Sequence, residues 1–532
     1  MTEHDAAAAT NNLSEADKHL SRRQFIGGTA AAAGALMLHG LPVSAAGSNS
    51  ASGSTHAANS KIAAISDKSF DALRSKIKGQ VVTPSAADFA QVRSDMVWNQ
   101  IKPDRSPDVI VKVKDTADVV EAVNFARENK LKVVVHGGGH TWCGLAIREG
   151  GMTIDLGALN EAQIDKANKK AVIQPVISNR DIGHMLAEQE LAFPIGHCPT
   201  VKASGYLLNG GMSWNMGHWG PACQSVEAIE FVTADGKVVT ASATEHTDLF
   251  WAARGVGPGM FAVATRYHLK CYDLPKAIRS STYWYSLADL KEVATEVVEL
   301  GRKMPDKVEL SIFLIKAPDS IADKCKDYNG FCCMIASVAF GMTEEESKAA
   351  LVPLANGKMP AKALMKSLND TDTFATLAEK SGDAWPENHR NWVENQCSKA
   401  NPVDYLMALR DKFVQAPSIQ SVVVFCQSTG DRPLLVPDPN VSLSMDATSY
   451  GGIWTIFKDA KDDEANHAWH KEMVALLAPY TNQHYIGETD IVEDHKRIKE
   501  SYAKDKWERM EKIRAKYDPD GVFFGFGGLK KA

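Results

Sequence analysis

The apolar and polar positions change period several times along the chain, and each change marks an element. Asp108-Val109-Ile110-Val111-Lys112-Val113 is a β-branched run and predicts a strand. Asp115 and Thr116 can cap a following helix, whose apolar positions Val119, Val120, Val123, Phe125 and Ala126 recur at helical spacing. Val133-Val134-Val135 predicts the next strand, so the whole reads as a βαβ-like unit. Further strands are expected at 152–156 and 171–176, a helix at 180–189, and a mostly looped stretch with one helix at 197–220. Residues 228–233 and 237–240 predict a hairpin around Asp235-Gly236, a dipeptide suited to a tight turn.

The pattern alters near Pro275. Strands are expected at 280–286, 308–315, 331–340, 420–427 and 450–457, with helices at 287–303 and 398–413 between them. This mixture predicts an antiparallel sheet backed by helices, an α+β arrangement. Alternation places Tyr450, Gly452 and Trp454 on one face, and Tyr283, Tyr285, Phe313 and Phe425 add aromatic bulk on other strands. Aromatic faces can stack a sugar or an aromatic substrate, although core packing is their commoner use. A charged helical stretch at 494–516 leads into the turn Asp518-Pro519-Asp520-Gly521 and the apolar Val522-Phe523-Phe524.

The N-terminus has a separate character. Ser21-Arg22-Arg23-Gln24-Phe25-Ile26 is a twin-arginine core, an apolar small-residue run follows, and Val43-Ser44-Ala45 is a cleavage-site pattern. Residues 1–45 therefore predict a signal read by the twin-arginine export machinery, and 46–60, rich in Ser, Ala, Gly and Asn, a disordered linker. The mature protein is expected in the periplasm or secreted, with no transmembrane anchor. This route suits proteins that fold before export, and hence one completed by a tight cofactor. The 532 residues predict two domains behind the signal, and a formal net charge of −6 gives no reason to expect nucleic acid. Nine scattered cysteines without a Cys-x-x-Cys pair argue against structural zinc, and no metal site is expected.

Three glycine-containing stretches carry candidate chemistry. Gly137-Gly138-Gly139-His140-Thr141 follows a predicted strand, where backbone N–H groups can approach a phosphate closely. Its spacing is not that of a nicotinamide-binding Rossmann fingerprint. His197-Cys198-Pro199-Thr200-Val201 continues through Gly205 to Gly210-Gly211 and sets a cysteine among small residues. Asp248-Leu249-Phe250-Trp251-Ala252-Ala253-Arg254-Gly255 leads to a further glycine loop and Val263. A hydrolase is not indicated, since neither a nucleophile elbow nor a zinc-protease helix motif occurs.

Together these stretches resemble the berberine-bridge-enzyme-like branch of the vanillyl-alcohol-oxidase flavoproteins, whose FAD-binding domain is of the PCMH type. That branch shows a Gly-Gly-His loop, a Cys-Pro-Thr-Val segment and Asp-Leu-Phe-Trp-Ala before Arg-Gly, in this order. Tyr517-Asp518-Pro519-Asp520 ahead of Phe523 is similar to its closing segment. The resemblance implies a two-part FAD-binding domain at 61–275, an antiparallel-sheet substrate domain at 276–484, and a C-terminal segment, 485–532, returning to the FAD domain. It implies FAD bonded covalently to His140 and Cys198, with attachment through His140 alone as the variant. Gly137, Gly138, Gly139 and Thr141, with Gly144, would hold the pyrophosphate, and Thr200, Gly205, Gly210 and Val263 would line the cofactor path.

The same resemblance makes the protein an oxidase moving a hydride from an alcohol, sugar or phenol-like small molecule to FAD and then to dioxygen. The alternative is a dehydrogenase using a quinone or protein acceptor. Val201, three residues after the flavin cysteine, matches a position where valine admits oxygen and a bulkier leucine hinders it. Tyr485 matches the branch's catalytic tyrosine, with His484 in place of the usual preceding asparagine. A tyrosine base needs a positive charge nearby to lower its pKa. His484 and Glu488 are rival bases. Phe524-Gly525-Phe526 stands where relatives often have an asparagine, which alters one cofactor contact.

Overall fold

The computed structural model describes residues 67–529. The expected export signal and linker and the first few residues of the expected FAD domain lie outside the described residues.

Four strands build the first sheet: β1 (Gln80–Val82), β2 (Val109–Lys112), β3 (Val133–His136) and β4 (Met152–Asp155), in the order β1-β2-β4-β3. β2 and β3 both run parallel to β4, which requires a crossover. The helix Thr116–Glu128 supplies it. Asp115 caps that helix by accepting the Asp118 N–H, and Val119, Ala122, Val123 and Ala126 face inward.

A second sheet follows. Its strands are β5 (Ala162–Asp165), β6 (Lys170–Ile173), β8 (Val226–Thr233), β9 (Val238–Ser242) and β10 (Ala262–Lys270), ordered β5-β6-β10-β8-β9 and antiparallel throughout. β7 (Leu191–Ala192) and β11 (Tyr272–Asp273) form a small ribbon. The β8–β9 turn is made by Asp235-Gly236, with Gly236 at φ +76°, where a side chain would be strained. One hydrophobic core runs through both sheets and takes in Val522, Phe523 and Leu529 from the end of the chain. Phe523 bridges Val133 in parallel, with Val133 donating to Val522 O and Phe524 donating to Val133 O. The closing segment thus lies along the first sheet.

The third sheet has seven antiparallel strands. They are β12 (Ala277–Tyr285), β13 (Val308–Lys316), β14 (Phe331–Gly341), β15 (Met365–Asp372), β16 (Arg390–Ser398), β17 (Val422–Gln427) and β18 (Ser449–Phe457), ordered β15-β12-β14-β13-β17-β18-β16. The helices Leu290–Gly301, Glu344–Ala355, Pro402–Phe413 and Asp463–Leu477 cover one face, burying Val293, Leu351, Leu406 and Trp469. The fold is therefore α+β, a two-sheet body joined to a large antiparallel sheet.

Several expectations change in detail. Residues 197–220 hold two short helices, Ala203–Leu208 and Met216–Trp219, rather than one. The charged stretch breaks into Lys496–Glu500 and Lys504–Tyr517. Ser398 ends a strand, and the next helix starts at Pro402 behind the capping side chain of Asn401. β15 and β16 have no counterpart in the hydrophobic pattern, because both are edge strands rich in polar residues. β16 buries Asn391, Glu394, Asn395 and Gln396, each bonded across a seam rather than packed in oil.

Asn99 makes one part of that seam: its Nδ2 donates to Trp142 O and to Asn391 O, both at 2.8 Å, and its Oδ1 accepts from Asn391 N. The nine cysteines are all free thiols. Among the described residues no helix is long and apolar enough to cross a membrane, and no cluster of three or more His, Cys, Asp or Glu could hold a metal.

Candidate functional site

A cavity of about 400 Å³ opens between the two-sheet body and the face of the third sheet away from those four helices, with the helix Phe374–Ala384 contributing Leu377, Lys380 and Ser381 to its lining. Its first wall begins where β3 ends. Gly139 sits at φ +67°, and a Cβ there would lie 2.2 Å from Met96 O. Only glycine lets the loop turn so tightly against its neighbour. The Trp98 N–H donates to Gly139 O, and the Trp98 ring stacks on His140 at 5.2 Å between centroids. Burial, with the Lys202 ammonium adding to it, lowers the His140 pKa to about 4, so the imidazole is neutral at ordinary pH.

Cys198 faces the same cavity, its Sγ 3.5 Å from Thr200 Oγ1 and its carbonyl accepting from Asn179 Nδ2. Val201, Lys202 and Gly205 continue this wall. No atom lies within 4 Å of where a Gly205 Cβ would stand, so the glycine faces open space. Gly137, Gly138 and Thr141 also line the cavity, with Thr141 Oγ1 holding the Leu145 N–H. Arg148 lies behind, its Nη atoms donating to Gly525 O and Gly527 O while its buried Nε has no partner.

Four residues expected at the cofactor, Gly144, Thr200, Gly210 and Val263, are not on the cavity's lining. Gly144 packs on Pro103, Gly210 turns at φ +109° against Leu443, and Val263 is fully buried in the core. Thr200 is reached only through its contacts to Cys198 and His140. These positions shape the loops around the cavity rather than its surface.

The opposite wall carries acid–base groups. Glu488 lines it, and the Tyr450 hydroxyl donates to Glu488 Oε2. Burial raises the Glu488 pKa, against the Tyr450 hydrogen bond and the charge of His197. His197 Nε2 donates to Glu309 Oε1 at 2.7 Å. Burial works against its charged form, yet the carboxylates of Glu309 and Glu488 raise its pKa. Tyr485 stands edge-on to Tyr450 at 5.9 Å, and its hydroxyl oxygen accepts from the Gly211 N–H at 3.3 Å.

The positive charge that a tyrosine base needs is not what faces Tyr485. Burial first, then the Glu488 carboxylate, pushes its pKa above the ordinary value, with the Gly211 N–H working against them. His484 is turned away from the cavity: Nδ1 donates to Asn395 O at 2.9 Å, with Glu394 Oε1 at 3.0 Å. The cavity thus collects His140, Cys198, Tyr485 and Glu488 and leaves His484 in the seam. It adds His197, Glu309, Lys202 and Arg148, which had no assigned role. Glu309 was visible as the one carboxylate in an otherwise apolar strand pattern.

Residues 107–242 match the family model described as an FAD binding domain. The FAD-linked oxidoreductase nodO of Hypoxylon pulicicidum is 26% identical over 443 residues, covering 83% of this chain and 95% of its own. The crystal structure of 6-hydroxy-D-nicotine oxidase from Arthrobacter nicotinovorans superimposes with a TM-score of 0.73 at 21% identity, over 86% of this chain and 98% of that one. Berberine bridge enzyme from Eschscholzia californica superimposes at 0.71 with 15% identity, over 87% and 99%.

The cavity suits FAD on its own terms. Glycine backbone at 137–139 and an open Gly205 leave room for a close approach, Arg148 and Lys202 bring positive charge for a pyrophosphate, and an unpartnered Arg148 Nε awaits an acceptor. The chain carries an FAD binding domain at 107–242, shares its fold with 6-hydroxy-D-nicotine oxidase and berberine bridge enzyme, and is an FAD-dependent oxidoreductase.

Proposed function

We propose that the protein is an exported oxidase that takes a hydride from the carbinol carbon of an alcohol or the benzylic carbon of a phenol-like substrate, using FAD tethered to His140 and Cys198. The observation that carries this reading is the meeting, across one cavity, of a neutral His140 and Cys198 with the buried Glu488–Tyr450 pair. Bound there, FAD supplies a two-electron acceptor, which dioxygen then reoxidises.

The protein's own groups handle the proton. Glu488 is a carboxyl whose raised pKa brings it closer to working pH, the condition for an efficient general base. It receives the substrate hydroxyl proton while Tyr450 holds its second oxygen. His197, paired to Glu309, faces the same space, and the carboxylates beside it favour its charged form, which offsets the negative charge that develops on the substrate oxygen. Tyr485 keeps its proton and orients the hydroxyl, itself fixed by Gly211 and by the two hydrogen bonds of its backbone to Asn395. Export rests on the twin-arginine pattern at Ser21-Arg22-Arg23.

Purified protein mixed anaerobically with alcohols, sugars and phenols, then with dioxygen, tests the proposal. Loss of the yellow flavin band followed by stoichiometric peroxide is expected. Bleaching that recovers only with a quinone or dye would make it a dehydrogenase. Pigment left in the supernatant after acid precipitation would remove the tethers.

A further inference from the structure

Resting on the reading that this cavity is where substrate is oxidised, the register of the third sheet says what kind of body the substrate has. Strand alternation sends every second residue to the cavity, and cross-strand pairing arranges those residues in rows. One row pairs Glu309 with Val338 and Val338 with Ser280. The next runs from Thr282 through Ala336, Ser311 and Cys426 to Tyr450. Both rows end on the acid–base groups: Glu309 holds His197, and Tyr450 holds Glu488.

Two residues further along each strand, about 7 Å, the chemistry changes. Met334 pairs with Phe313, and Phe313 with Val424. Beyond them Ile315 and Trp454 face the cavity, with Trp385 set edge-on to Trp454 at 5.8 Å. These residues belong to one apolar cluster, against which Trp142 from the His140 loop also packs. Within this compartment the sheet offers rings and aliphatic side chains and no hydroxyl or carboxylate. A sugar ring set there would find the Trp385 indole N–H but few other partners for its several hydroxyls, and leaving the rest unpaired costs more than its faces gain by stacking.

We propose that the physiological substrate is an amphiphile: a single hydroxyl-bearing carbon held at the Glu309–Tyr450 end, and an apolar body, an aromatic ring or a branched hydrocarbon of similar size, seated between Phe313, Met334, Val424 and Trp454. Monosaccharides are disfavoured because the strands of the second compartment offer no hydroxyl or carboxylate to match their several hydroxyls, the Trp385 indole N–H notwithstanding. The distance between the two compartments sets a body of about one ring.

Binding can be read without turnover. Cumyl alcohol joins an apolar body to a hydroxyl but has no hydrogen on its carbinol carbon, so it cannot be oxidised there; methyl glucoside is its polar counterpart. Each is titrated into the flavin-loaded protein and followed through the perturbation of the flavin absorbance. Cumyl alcohol is expected to bind at least about tenfold more tightly than methyl glucoside. Phe313→Asn, at a half-buried position, should weaken cumyl alcohol by about tenfold with the flavin spectrum of the free protein unchanged. Equal or tighter binding of methyl glucoside, or no perturbation by cumyl alcohol, overturns the proposal without any variant being needed. If cumyl alcohol binds but no alcohol bleaches the flavin, the apolar site stands and the oxidation chemistry falls.

Discussion

The two walls of the cavity are written in the sequence in different ways. The wall that takes FAD comes from short contiguous stretches, Gly137 to Thr141 and Cys198 to Gly205, in which each residue's neighbours in space are largely its neighbours in the chain. The wall that faces substrate is drawn from Ser280, Glu309, Phe313, Val424, Tyr450 and Trp454, brought together only by strand register. Cofactor binding needs close backbone approach, which a glycine loop supplies locally. Recognition of an organic body needs a surface, and a surface is a property of pairing between distant strands. The first can be read as a motif; the second cannot.

Replacing the base strikes the seam between the walls hardest. Glu488→Gln is expected to slow anaerobic flavin reduction by roughly 10²–10⁴-fold, as general-base loss usually does. Tyr485→Phe should cost less, since its phenol stays protonated beside Glu488. Stopped-flow reduction of the two variants decides it: a larger loss for Tyr485→Phe would return the proton to the tyrosine. In wild type the acid limb of the reduction rate should lie above the ordinary carboxylate range, because burial raises the Glu488 pKa, and activity should rise with pH through it.

A second, smaller effect lies behind the substrate sheet. His470 is buried with Nδ1 2.7 Å from Thr455 Oγ1, and burial lowers its pKa to about 3. The folded form keeps it neutral while the unfolded chain protonates near 6.5, so the unfolded state binds more protons between these values. Stability therefore falls as pH drops from about 6.5 toward 3, at up to about 1.4 kcal/mol per pH unit from this one group. Urea unfolding of His470→Asn across that window should show a correspondingly shallower slope; an unchanged slope would place the acid sensitivity elsewhere.

Asn99→Ala separates the walls from each other. It removes bonds to Trp142 and Asn391 and leaves their backbone groups buried, a loss of about 1–3 kcal/mol. Denaturant midpoints should fall accordingly, with the flavin still retained by acid-precipitated protein. The least effect is expected at Val201, on the cofactor wall. Val201→Leu should slow reoxidation by dioxygen about tenfold, roughly 1.4 kcal/mol of barrier, with reduction by substrate unchanged. Reoxidation at the wild-type rate would take away the gate.

What could be read in advance follows the same division. The βαβ unit, the hairpin at Gly236 and five strands of the third sheet announce themselves through period and turn chemistry, because their apolar residues are the ones buried. β16 stays hidden since its inward residues are Asn391, Glu394, Asn395 and Gln396, whose partners lie on other elements. A hydrophobicity pattern counts such residues as exposed. His140, Cys198, Tyr485 and Glu488 were visible as motif members and do line one cavity. His484 was not separable from them by sequence, because one step along the chain turns its ring from the cavity toward Glu394. The role of Glu309 depends on a histidine whose sequence separation from it is 112 residues.

Lys132 Nζ donates to Gly521 O across 389 residues, beside the pairing of Val133 with Phe523. During synthesis the glycine loop emerges long before this backing strand, which lies hundreds of residues further along the chain. A ribosome-stalled product lacking that strand would leave open the side of the cavity that Phe523, Phe524 and Gly525 close.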